Sequence, residues 1–339
     1  MTTLSDVAEL VRAPAALSVP GDVVAGAAAA GVLGPRTPAL AGASVLLYWA
    51  GMAANDWADR RLDAVERPER PIPSGRVTPT VAVGLAAGLT AAGVGLAAAV
   101  GGRRAAALAV PLAATIWGYD LLAKNTAAGP AVMAACRGLD VLLGAAGGRL
   151  TRALPAAATV AAHTWTVTAL SRREVTGADR VLPVRTLAGT ALVAVSAAVA
   201  APGSRRATPR TKTTNRAGVS GRAGVSGRAE ATPQAGATDR AGAAGETAVH
   251  GGRSRSAGIA AVLPAVLAGW YAARYGAAQA EVVRDPSAGR VRAAVGAGIT
   301  GLPALQGALT ARGGAGLLGV AVAAAAPLGR RLARKMSPT

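Results

Sequence analysis

Asn55, Asp56, Asp59 and Asp63 recur at intervals of three and four residues in the stretch "NDWADRRLDAVERPERPIPSGRV". On a helix this spacing sets all four on one face. Carboxylates stacked at i, i+4 oppose helix formation by about 0.2–0.5 kcal/mol per pair unless something neutralises them. A divalent cation would do so. Mg²⁺ takes a few carboxylates, keeps some of its water and completes its shell with phosphate oxygens. Arg60, Arg67 and Arg70 lie in the same stretch, and their guanidinium forks suit bidentate contacts to phosphate. Pro68, Pro71 and Pro73 cannot continue a helix, so the stretch reads as an acidic helix end followed by a stiff basic loop. The plainer alternative is a solvated loop whose charges only fix chain topology, and the DxxxD spacing alone does not separate the two.

The elements that must position these groups are strongly apolar. Of 339 residues, 52% are hydrophobic and 16% charged, whereas soluble domains carry about 25% charged residues. A spanning helix needs about 20 mostly apolar residues. Ten candidate segments lie near 14–34, 38–54, 79–101, 105–123, 129–147, 153–170, 181–201, 257–275, 291–311 and 314–329. Many are built from Ala and Gly, whose small side chains let helices approach closely. The expected fold is all-α, a polytopic membrane bundle of about nine to ten transmembrane helices. The N-terminus, "MTTLSDVAELVRAPAAL", lacks a basic region followed by a cleavable apolar core, so no signal peptide is expected and the first span serves as insertion signal. With the N-terminus inside, the connections 55–78, 124–128, 171–180 and 276–290 are cytoplasmic and carry a surplus of arginine. The protein is thus expected in the cell membrane, multi-pass, with its acidic motif on the cytoplasmic side.

Net charge is +19, but only 3% of residues are aromatic, with no Phe, which leaves few platforms for stacking nucleobases and argues against a nucleic-acid partner. The single cysteine, Cys136, lies in an apolar run and reads as a core residue. Residues 203–256, with the imperfect repeat "RAGVSG", hold ten basic and three acidic residues and few large apolar ones. They read as a disordered, low-complexity basic linker. The organisation expected is therefore 1–202 as the first seven spans, 203–256 as linker, and 257–339 as the C-terminal spans with a basic tail.

Taken whole, "NDWADRRLDAVERPERPIPSGRV" resembles the first Asp-rich motif of the UbiA-type membrane prenyltransferase superfamily. In that family NDxxDxxxD, followed by RPxRPIPSG, lies between the second and third transmembrane helices, as it does here. The resemblance implies a UbiA-type helical bundle of about nine spans with a lateral opening to lipid. It implies a Mg²⁺-dependent prenyltransferase that transfers an isoprenyl group from an isoprenyl diphosphate to an aromatic or lipophilic acceptor. By position, Asn55, Asp56, Asp59 and Asp63 would hold the diphosphate and Mg²⁺, with Arg60, Arg67 and Arg70 on the diphosphate.

Other residues fit the same cavity. The family often has a basic residue at the end of the fourth span, which makes Lys124 a candidate for the diphosphate; an interfacial lysine snorkelling from its helix is the equal alternative. Asp120 stands one turn before it and suits an i, i+4 pair. Arg137 and Asp140 lie inside a span, where charge is costly, so they should face a wet interior or each other, and a cavity role, with Arg137 on the diphosphate, is expected over a purely structural pair. His163 reads as a hydrogen-bonded core histidine. The family's second Asp-rich motif is altered here to "SRREVTGADR". Glu174 and Asp179 point to different sides of a helix, and Arg172 and Arg173 stand where a second metal would be held. Either the arginines contact diphosphate, with Glu174 as remaining ligand or base, or this half of the site has decayed and the protein is a non-catalytic carrier of a lipid or metabolite.

Overall fold

Proline and glycine set the limits of the helices. The computed structural model describes residues 2–13, 18–199 and 261–325; the linker expected at 203–256 lies outside them. The elements are α1 (Leu4–Leu10), α2 (Pro20–Ala30), α3 (Arg36–Glu66), α4 (Pro79–Gly118), α5 (Gly129–Gly144), α6 (Leu150–Ser171), α7 (Val181–Ala198), α8 (261–271), α9 (Ala277–Arg284), α10 (Ala288–Arg312) and α11 (Gly316–Ala325). Two π-helical turns, Tyr119–Ala123 and Ala272–Gly276, extend α4 and join α8 to α9. There is no strand among the described residues.

The acidic motif is the last part of α3, continuous with its apolar body, and the helix stops at Glu66 because Arg67, at φ −146°, precedes Pro68. Pro79 opens α4 behind Thr78, whose hydroxyl accepts from the Val81 amide. α4 is not one rod. Gly102, at φ 67° and ψ −161°, breaks it, and Trp117 Nε1 donates to Thr90 Oγ1 at 3.0 Å. A straight helix would hold those two residues about 40 Å apart. The two arms therefore run antiparallel, and they correspond to the expected spans 79–101 and 105–123. The first span is shorter than expected: in place of 14–34, α2 begins at Pro20 and ends at Gly31, which takes the left-handed conformation at φ 72°. Residues 14–17 lie outside the described chain. α3, α4 with its π-turn, and α7 are long and apolar enough to cross a membrane.

Four connections gather at one end of the bundle. The 67–77 loop lies against α1 and the end of α3, the turn after α4 meets Lys124's partners on α3, and Ala178 N donates to Pro286 O at 2.9 Å. These are the connections grouped by their arginine surplus. The helices between them pack at backbone distance. A Cβ at Gly26 would overlap the Val141 carbonyl, and one at Gly144 would overlap the Val23 carbonyl, so α2 and α5 touch main chain to main chain. α10 joins the same core through Leu305 and Leu309, so helices from both sides of residues 203–256 share it. Gly26→Ala or Gly144→Ala should force this contact apart and cost about 1–3 kcal/mol, read as a lower unfolding temperature in detergent; Gly84→Ala, which meets nothing within 4 Å, should leave that temperature unchanged.

Candidate functional site

One face of α3 organises the polar side chains of the bundle. Residues 44, 48, 51, 55, 59 and 63 follow at three- and four-residue steps and so line a single stripe. At its outer end the carboxylates are met by cations from three other places in the chain. Asp56 Oδ1 accepts from Arg12 Nη2 at 2.6 Å and from Arg70 Nη1 at 3.3 Å. The same Arg70 nitrogen donates to Asp63 Oδ2 at 2.7 Å, bridging two acids separated by two turns. Arg67 approaches Asp63 at 3.7 Å. Lys124 Nζ donates to Asp59 Oδ1 at 2.6 Å and to Asn55 Oδ1 at 3.2 Å. The side chains of Asp56 and Asp63 are 5% and 2% exposed, that of Asp59 25% and that of Lys124 16%. Asp59 and Lys124 are thus the accessible pair.

Local structure explains how the cations arrive. The prolines after α3 turn the chain so that Arg70 points back along the helix, while Ile72 and Val77 are buried with Leu10, Ala53 and Ala54. Arg76 clamps α1 to this loop, contacting both oxygens of Glu9 at 2.7 and 2.9 Å and Asp6 at 2.8 Å. Arg12, just beyond α1, sits at φ 45°, a left-handed conformation unfavourable for a side chain with a Cβ. The end of α4 and the π-turn pack closely on α3 at Gly51, where a Cβ would overlap Ile116 Cγ2 and lie 3.2 Å from Asp120 Oδ2. Arg60 turns away, donating to Trp57 O at 2.7 Å and lying over that residue's own ring.

The altered second motif is spent largely on structure. Arg172 Nη1 donates to the carbonyl of Thr126 and, at 3.4 Å, to that of Lys124. Asp179 caps α7, its Oδ1 accepting from Val181 N at 2.9 Å and Leu182 N at 2.7 Å, and the Leu182 and Val181 amides lower its pKa. The backbone carbonyl of Glu174 accepts from Arg292 at 3.0 Å, and partial burial raises the Glu174 pKa against the opposing pull of Arg292. The Arg173 side chain makes no hydrogen bond or ion pair among the described residues, while its backbone bonds Leu170 and Gly177.

Arg137 and Asp140 do not join the carboxylate stripe's outer end. They belong to an inner layer eleven residues along α3, about 16 Å by helical rise. Asp140 pairs there with the Ser44 hydroxyl in a short contact. Arg137 Nε lies 2.7 Å from Asp22 Oδ2 of α2, a charge contact rather than an aligned hydrogen bond, and its guanidinium covers the Tyr48 ring at 5.5 Å. Gln306 of α10 completes the layer, its amide donating to Asp22 Oδ1 at 2.6 Å and Ser18 O at 2.7 Å. His163 is a core residue, 2.8 Å from the Tyr271 hydroxyl. Sequence reasoning missed Arg12, Asp22 and Gln306. Asp22 carried a signal, as the one acid in the apolar run 14–34, but its partner lies more than a hundred residues away.

The UbiA prenyltransferase family matches residues 19–204, more than half of the chain, and the match contains the stripe, Lys124 and the altered motif. The chain belongs to the UbiA prenyltransferase family. Similar relatives are the digeranylgeranylglyceryl phosphate synthases of Methanopyrus kandleri, 39% identical over 32% of this chain and 38% of that one, and of Natronomonas pharaonis, 35% identical over 48% and 61%. The chain thus matches less than two thirds of the length of these relatives. Among solved structures, a UbiA homolog from Aeropyrum pernix K1 superposes with a TM-score of 0.54 at 17% identity, covering 90% of this chain and 96% of that one. A structure described as giving insight into digeranylgeranylglyceryl phosphate synthase in membranes does so with 0.54 at 14%, covering 88% and 98%. Both show the fold. This UbiA chain is therefore all-helical and of a membrane-embedded family, with the first acidic motif intact and the second replaced.

Two outcomes follow from this geometry. Asp6 is held at about 2, below its ordinary 3.8, first by hydrogen bonds from Thr3 and then by Arg76. The docking of α1 should be complete above pH 3.8 and be lost as pH falls towards 2, seen as rising hydrogen exchange of residues 4–10. Arg137→Ala leaves Asp22 buried without its cation and should cost about 3–5 kcal/mol, measured by unfolding in detergent. Asp22→Leu combined with Arg137→Met should recover most of that loss.

Proposed function

We propose that this chain is an integral-membrane prenyltransferase that moves an isoprenyl group from an isoprenyl diphosphate to a lipophilic or aromatic acceptor, with Mg²⁺ as cofactor. The observation that carries this reading is the interleaving of Asp56, Asp59 and Asp63 with Arg12, Arg70 and Lys124 at one end of the bundle. Such a ring of alternating charge is suited to a doubly anionic headgroup that brings its own cation. The donor set fits Mg²⁺ in chemistry: carboxylates and a carboxamide on successive helical turns are hard oxygen ligands. Among the described residues no three of His, Cys, Asp or Glu stand close enough to cage a metal ion unaided, so Mg²⁺ here would need phosphate and water to complete its shell. Asn55, Asp56, Asp59 and Asp63 would hold it, and when bound it supplies charge neutralisation to the departing diphosphate.

The chain's own residues do the rest. Lys124 exchanges Asp59 for diphosphate oxygens and, with Arg70 held on Asp56 and Asp63, stabilises negative charge as the allylic carbon–oxygen bond breaks. Arg12 and Arg67 stand close enough to add to the same field. The apolar helices keep water from the allylic cation until the acceptor captures it. The arginine surplus of the clustered connections supports a multi-pass topology with this end facing the cytoplasm. Since the relatives are named for digeranylgeranylglyceryl phosphate, a glyceryl phosphate lipid is the first acceptor to test.

One observation favours a second reading. Asp179 is used as a helix cap and Arg172 as a brace, so no second acidic pair forms. A carrier that binds an isoprenyl diphosphate without cleaving it needs only the first motif. Single-turnover release of diphosphate from labelled geranylgeranyl diphosphate decides between them. The enzyme reading expects release with Mg²⁺, none with EDTA, and a loss of at least roughly a hundredfold in Asp59→Asn at unchanged unfolding temperature. Binding without release would establish the carrier instead.

A further inference from the structure

The place of the lost second motif is taken by a contact that reaches the first one. Arg172 follows the last residue of α6, and its Nη1 donates to the carbonyls of Thr126 and Lys124. Those carbonyls belong to the turn that ends α4 and its π-helical extension, where the last main-chain acceptors lack i+4 donors, although Thr126 O also receives the Gly129 amide. A cation placed there satisfies them and meets the negative end of the helix dipole. The turn itself is held lightly, by Thr126 N to Ala123 O at 2.9 Å and Gly129 N to Thr126 O at 3.1 Å. Gly129 leaves room for the guanidinium: a Cβ there would lie 3.2 Å from Arg172 Nη1 and 3.0 Å from Ala123 O. Arg172 in turn stands on a fixed base. Arg292 holds Glu174 O at 3.0 Å, Ala178 N is bonded to Pro286 O at 2.9 Å, and Asp179 caps α7.

From these contacts we propose that Arg172 is a positioning residue for Lys124, bracing the 124–128 turn so that the ammonium faces Asn55 and Asp59. In place of binding a second metal, this half of the bundle sets the direction of the one lysine that meets the diphosphate. The contact stands on the geometry alone; its consequence for an isoprenyl diphosphate rests on the proposed function.

The chain has three lysines, Lys124, Lys212 and Lys335, so acylation of Lys124 by acetic anhydride can be followed by peptide mass spectrometry on the intact protein in detergent. Arg172→Ala should raise the rate at Lys124 about tenfold, the equivalent of one lost charge-assisted hydrogen bond, while Arg173→Ala leaves it at the wild-type value. Arg172→Lys, which keeps the charge on one nitrogen but loses the planar fork, should fall between; should the alanine variant not fold, Arg172→Gln serves in its place. Geranylgeranyl diphosphate should bind more weakly to Arg172→Ala, and that loss should vanish in a Lys124→Met background, because both changes act through one group. An unchanged acylation rate overturns the proposal, and so does a loss of affinity that persists without Lys124, which would mean that Arg172 contacts the diphosphate itself. If the wild type binds no geranylgeranyl diphosphate, the proposed function falls while the acylation result still decides the brace.

Discussion

A row of acids along α3 persists because cations from three distant segments close upon it. Arg12 comes from beyond α1, Arg70 from the proline-rich loop and Lys124 from the turn after α4. Exposed ion pairs contribute little to stability, but Asp56 and Asp63 are nearly fully covered, so leaving either without its cation would strand a charge away from water. That requirement propagates outward. To deliver Arg12, α1 must dock, which Arg76 secures through Asp6 and Glu9. To deliver Arg70, the loop must bury Ile72 and Val77 against α3. To deliver Lys124, α4 must end in a π-turn whose Asp120 passes close to Gly51.

The two polar layers along α3 differ in kind. The outer one contains a partly accessible pair, Asp59 with Lys124, whose members can change partners without leaving an empty charge behind. The inner one joins α2, α3, α5 and α10 through Asp22, Ser44, Arg137, Asp140 and Gln306, all buried. It ties the C-terminal helices to the first ones and specifies their register. Charge retained at such depth marks a constraint on assembly as readily as a binding role, and Arg137 meets Asp22 of α2 and the Tyr48 ring of α3 there.

Much of this arrangement was legible in the sequence. Apolar runs bounded by Gly and Pro located the helices, including the break between 101 and 105 that Gly102 makes. The i, i+4 recurrence of Asn55, Asp59 and Asp63 marked the face on which cations from distant segments gather. What sequence spacing did not reveal was how those charges are balanced within the chain. The spacing argument called for a dication, whereas Arg12, Arg70 and Lys124 already compensate the carboxylates. Arg12 is 44 residues from Asp56 and Arg137 more than a hundred from Asp22; such pairings follow from tertiary packing, which no local periodicity encodes. The use of Asp179 as a cap was not read from the sequence for a related reason. Its value as a cap depends on where α7 begins, and helix ends are set by the backbone conformation of only one or two residues.

The glycine contact between α2 and α5 has a mechanical consequence. Where main chains touch at Gly26 and Gly144, no layer of side chains remains to shear or rotate, and the seam is as stiff as the helices themselves. A wedge between these two helices would have to break that contact first, so the seam is a fixed edge against which the other helices of the bundle are arranged.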